Sequence, residues 1–91
     1  MADSVNDVLR KNIGASYKPG MTVNDMLRVK AGASAKPGDT NHDLLVRIAE
    51  TAGFTILPAD SIHDILRKAA GASFSVYDLD PELWAKALAH L

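Results

Sequence analysis

The chain has 91 residues, a formal net charge of −1 and no cysteine. Those values exclude disulfide staples, a thiolate-bound zinc and the broad positive field of a nucleic-acid binder. A single small domain or a short array with a thin core remains, and a core that small points to association with a partner. The opening residues mix Asp3, Asp7, Arg10 and Lys11 among apolar ones, unlike a signal peptide, and the apolar runs are too short to span a bilayer.

From Ser4 onward one phrase recurs. It reads "SVNDVLRKNIGASYKPG" from Ser4, "TVNDMLRVKAGASAKPG" from Thr22, "TNHDLLVRIAETAGFTILPA" from Thr40 and "SIHDILRKAAGAS" from Ser61. The pattern divides the chain into four helix–linker repeats, about 4–21, 22–39, 40–60 and 61–78, followed by a C-terminal helix in 79–91. Repeat spacing is 18, 18 and then 21 residues, the extra three lying inside the third helix. The predicted fold class is all-α.

Each repeat opens on a hydroxyl residue with Asp three places later: Ser4/Asp7, Thr22/Asp25, Thr40/Asp43 and Ser61/Asp64. This is the capping-box arrangement with a shorter acid, so the four hydroxyls are predicted helix caps. Apolar residues follow at helical spacing and centre on Leu9, Leu27, Leu45 and Leu66. Basic residues gather toward the helix ends, with Asp7–Arg10 and Asp43–Arg47 spaced to pair across a turn. Gly14, Gly32, Gly53 and Gly71 are predicted to stop the helices in the left-handed C′ conformation. In the linkers, Pro19-Gly20 and Pro37-Gly38 predict type II turns. Tyr17, Ile56 and Phe74 share one linker register with Ala35, positioned to fold back over the apolar stripes.

The last helix, "PELWAKALAHL", is predicted to start with Asp80 as N-cap and Pro81 at the first helical position. Leu79 and Trp84 have the spacing of a hydrophobic staple. Leu83, Trp84 and Leu88 give this helix its own apolar face, either closing the array or hooking into a partner.

No residue pattern names a reaction. His42 and His63 each precede an Asp, but Asn6 and Asn24 fill the same repeat position, so the register reads as an exposed second helical residue. Ser16, Ser34, Ser73 and Thr55 lack a nucleophile motif, and the glycines follow helices rather than opening them. Arg10/Lys11, Arg28/Lys30 and Arg67/Lys68 have acids one turn away and read as solvated faces rather than a phosphate-contacting row. No catalytic, cofactor-binding or metal-ligating residue is predicted. One isolated repeat is too short to hold a helix in water. The four repeats and the terminal helix therefore pack on one another or lay their stripes on a partner. Leu9, Leu27, Leu45, Leu66, Leu83, Trp84 and Leu88 are the expected partner-binding residues.

The phrase Ser/Thr-x-Asn/His-Asp-x-Leu-Arg/Val, with a glycine and a "KPGDT"-like linker, resembles short helical repeats in virion structural proteins of tailed bacteriophages. The resemblance covers residues 4–73 and is nearest in "KPGDTNHDLLVRIAETAG" (36–53). It implies a non-enzymatic accessory component located in the virion and present in many copies. Its implied partners are head, collar or tail proteins and copies of itself; the near-neutral charge and the short apolar runs leave out nucleic acid and membrane. A competing expectation is a cell-wall or glycan-binding module, which would need exposed aromatics at repeated positions.

Overall fold

The computed structural model describes residues 3–91, and all regular structure among them is helical. The α-helices are α1 (Val5–Ile13), α2 (Val23–Ala31), α3 (Asn41–Thr51), α4 (Ile62–Ala70) and α5 (Asp80–Leu88). Four of them open with a complete capping box. Ser4, Thr22, Thr40 and Ser61 each accept from the backbone N–H of the Asp three residues on, at 3.1 Å. Each Asp returns a bond to the capping residue's own N–H, at 3.0–3.2 Å. Two of the free donors at every helix start are satisfied in this way.

The start of α5 differs from expectation. Its cap is Leu79, not Asp80, which is the first helical residue, with Pro81 second. Leu79 has no side-chain acceptor, so only half of the box forms: Glu82 accepts from the Leu79 N–H at 3.1 Å. The expected Leu79–Trp84 staple is absent, because Leu79 is 64% exposed while Trp84 is buried. The reason is register. Leu79 stands 18 residues after Ser61 and eight after Gly71, the same interval that separates Gly14 from Thr22. Starting there brings Leu83 and Trp84 to the two positions that Ile65 and Leu66 occupy in α4, so core placement overrides the capping preference of Asp80. The last helix thus continues the repeat.

The helix ends also refine the expectation. Gly14, Gly32 and Gly71 have φ of 58–62° but ψ between −121° and −132°, which is not the left-handed helical region. Each glycine still donates to the carbonyl four residues back, then turns the chain sharply into a 3₁₀ turn over Gly-Ala-Ser. Only α3 ends as expected. Gly53 at φ 98° donates to the Glu50 carbonyl and Phe54 to Ala49, both at 3.0 Å, forming a Schellman motif.

Each helix packs against the next, and α5 packs against α1, so the five helices form a closed circuit. The molecule is a disc of 35 × 32 × 17 Å. Its thickness is near the length of a nine-residue helix, about 14 Å. The core holds Leu9, Met26, Leu27, Leu44, Leu45, Ile48, Ile65, Leu66, Leu83, Trp84 and Leu88, with Ala49, Ala69, Ala70 and Ala87 between them. Tyr17, Ala35, Ile56 and Phe74 fold back from the linkers onto this core. Accessible surface is 5386 Å². Size scaling gives about 5,100 Å² for a compact monomer of this mass. The chain therefore closes its own core and does not need a partner to do so.

Candidate interaction surface

A set of repeated polar ties holds the circuit in place. In α1, α2 and α3 the second residue of the helix reaches the carbonyl just before the next helix cap. Asn6 Nδ2 donates to Met21 O at 3.5 Å, Asn24 Nδ2 to Asp39 O at 3.2 Å, and His42 Nε2 to Asp60 O at 2.6 Å. Because a carbonyl only accepts, the His42 bond requires its proton on Nε2. These bonds set the N-termini of α1 to α4 side by side in succession. Asn6, Asn24 and His42 are half-buried, which corrects the expectation of an exposed register. His63 is exposed and makes an edge contact with the Phe74 ring at 6.3 Å.

A second tie joins each linker turn to the helix after it. Asp39, Asp60 and Asp78 accept the N–H three residues back, at 2.8 Å, closing the turn. The same carboxylates hold a cation eight residues ahead: Asp39–Arg47 at 3.0 Å, Asp60–Lys68, and Asp78–Lys86 at 2.7 Å. Asp3–Lys11, at 2.7 Å, repeats the spacing. The second repeat alone departs from it, with Met21 and Val29 in the two places. Sequence reasoning missed this pair because it looked for partners within a helix. It also placed Arg47 with Asp43, where the structure pairs Arg47 with Asp39.

Six of these carboxylates are held below their ordinary range. At Asp7, Asp25 and Asp64 the main cause is the N–H of the capping residue. At Asp39 it is the Lys36 N–H, and at Asp60 and Asp78 the ammonium of Lys68 and Lys86. Burial shifts Lys30 downward.

The basic residues considered as a phosphate row are largely engaged locally. Arg10 lies 5.8 Å from the Tyr17 ring centre and Arg67 5.7 Å from that of Phe74, each also facing an Asp on its own helix. Arg28 donates to Asn24 Oδ1 and to the carbonyls of Lys36 and Asp39. Ser34 and Ser73 donate to the carbonyls three residues before them, which is a structural use of those hydroxyls. Among the described residues the core holds no polar or charged residue, and no group of three or more His, Asp and Glu is placed to hold a metal. No described helix is long and apolar enough to cross a membrane.

Leu9, Leu27, Leu45, Leu66, Leu83, Trp84 and Leu88 are not a surface. They are at most 6% exposed and make the chain's own core, correcting the expectation that they bind a partner. The exposed apolar residues lie elsewhere. Val76 is 79% exposed, Tyr77 88% and Leu79 64%, three of four consecutive positions in the α4–α5 linker. In the first two linkers the tip is Pro-Gly and the helix cap is a hydroxyl. Leu79 also borders a groove of about 440 Å³ with Val8, Pro81 and Ala85, at the meeting of α5 and α1. A single exposed apolar side chain is ordinary, whereas clustered exposed apolar residues with an aromatic are the type of surface that contacts between proteins use. Sequence reading could have found it as the linker where turn-forming and capping residues give way to Val, Tyr and Leu.

Compared with known family models, curated proteins and solved structures, the chain matches none.

Proposed function

We propose that this chain is a non-enzymatic interaction protein that docks on a neighbouring protein through the knob Val76, Tyr77 and Leu79. The observation that carries this reading is the exposure of all three residues where other repeats write turn and cap residues. The engaged charges and the self-contained core support it, since they leave a scaffold whose most exposed apolar residues gather on this linker. In this reading the setting is the virion of a tailed bacteriophage, where the protein is an accessory component beside head, collar or tail subunits. The likeness of the repeat phrase supports that setting.

The glycan-binding alternative fits less well. Tyr17 and Phe74, the aromatics it would use, are half-buried and each carries a guanidinium on its ring. Co-sedimentation with intact phage particles and with peptidoglycan sacculi tests both. The expected outcome is retention on particles, reduced at least tenfold by the double substitution Val76→Ser/Tyr77→Ser. Retention on sacculi alone, or on particles regardless of those substitutions, rejects the proposal.

A further inference from the structure

We infer that α1 is an exchangeable element, and that a second copy of this chain can supply the α1 that completes the seam with α5. This goes beyond the docking knob and does not depend on it. Three independent observations meet on α1. First, it is the least anchored helix: Leu9 is its only fully buried residue, against two in α2 and four each in α3, α4 and α5. Val8 is only half-buried, where its counterparts Met26, Leu44, Ile65 and Leu83 are buried.

Second, the α5–α1 seam lacks the ties of most other junctions. The position that carries Asn6, Asn24 and His42 elsewhere is Pro81 in α5, which has no donor. Among the described residues no hydrogen bond or ion pair crosses this seam, and no linker spans it. Grooves of about 370 and 440 Å³ open along it, lined by Val8, Ala85, Leu88, Leu79 and Pro81. The α4–α5 junction also lacks a cross-bond, but a linker joins it and both helices are deeply buried.

Third, the connector from α1 to α2 is the loosest. Its turn is closed by the Met21 sulfur accepting from the Lys18 N–H, where the other three turns use an aspartate. A thioether is a weak acceptor with no charge. No cation tie follows it, because Val29 stands where Arg47, Lys68 and Lys86 stand.

The occupant follows from the geometry. The face of α5 is shaped for a helix carrying apolar residues at its fourth and fifth positions, which α1 supplies from its own chain or another. Outside the α1–α2 connector, exchange keeps the contacts of α1 and changes only which chain contributes them, the condition for a low-cost swapped dimer. At low concentration closure within one chain dominates, because the tethered α1 has the higher effective concentration.

Refolding the full-length chain at millimolar and at micromolar concentration, followed by light scattering after size exclusion, tests the inference. The expected result is monomer from the dilute sample. The concentrated one should add a discrete species of twice the monomer mass that persists for hours after dilution with unchanged circular dichroism. In the pair Val8→Cys/Ala85→Cys, oxidation should link chains in the dimer and close a link within the chain in the monomer. Met21→Asp, which gives the hinge turn its carboxylate, should lower the dimer fraction several-fold. The inference is overturned if no dimer forms, or if the dimer dissociates at once on dilution. It is equally overturned by a dimer linked only within chains, or by one that Val76→Ser/Tyr77→Ser removes and Met21→Asp leaves alone.

Discussion

Leu79 occupies a position where four other helices carry a serine or threonine that accepts from the third helical N–H. Its side chain contributes neither a cap bond nor much burial, being 64% exposed. A residue that serves the fold so poorly is best understood by what it offers outward. Leu79→Ser should complete the capping box with Glu82 and stabilise the chain by about 0.5–2 kcal/mol, the usual worth of such a cap. In a domain of this size that is a rise of several degrees in thermal midpoint. Circular dichroism melts check the gain, and the same variant should bind particles less well. Loss of stability instead would mean that Leu79 holds the fold through the α5–α1 groove. Sequence grammar chose Asp80 as the cap here, because Asp-Pro-Glu is a good local start. The hydrophobic register that moved the start by one residue is visible only when α5 is aligned with the other repeats.

At the scale of the element, much of the helix was legible. Hydroxyl, acid, apolar stripe and stopping glycine each have a local reason, and local reasons can be read from spacing. The pair Asp–x₇–Arg/Lys was not, because it bridges a turn and a helix and so obeys no helical period. It is written in columns rather than rows: Asp3, Met21, Asp39, Asp60 and Asp78 against Lys11, Val29, Arg47, Lys68 and Lys86. The apolar pair in the second repeat replaces both charges together, so neither is left without its partner. These carboxylates carry a consequence for pH. Asp7, Asp25, Asp39, Asp60, Asp64 and Asp78 have their pKa values lowered in the folded chain, whereas unfolded aspartates titrate near about 3.9. The unfolded state therefore binds protons first as pH falls. Their contribution is fully present above the unfolded value and is lost as pH drops through the lower folded values. Thermal midpoints should be nearly constant from pH 7 to about 5 and fall steeply below about 4. A flat profile down to pH 2.5 would show that the caps and the eight-residue ties do not persist in solution.

At the scale of the whole molecule, the sequence left two arrangements open, a self-packed array or stripes laid on a partner. The repeat cannot decide between them, since an apolar face looks the same whatever covers it. The decision comes from closure: with five repeats instead of four, α5 reaches back to α1 and the last face is covered from within. The knob was hidden for the opposite reason, because attention to what the repeats share passes over the linker where one of them differs. Closure also implies that the position of the chain ends is incidental to the fold. Eight residues separate α1 from the Thr22 cap, α2 from the Thr40 cap and α4 from the Leu79 cap. Joining Leu91 to Met1 through two added residues would give the α5–α1 seam a connector of the same length. New ends placed between Phe54 and Thr55 would leave the Schellman motif of α3 and the capping box of α4 on intact segments. Such a permuted chain should fold with the same helicity and melt within a few degrees of the parent, as followed by circular dichroism. Its seam would now be covalent, so its hydrogen exchange in α1 should slow relative to the parent, since α1 could no longer leave α5 without a tether. If α1 and α5 were not neighbours, the added residues could not bridge them and the permuted chain would fail to fold.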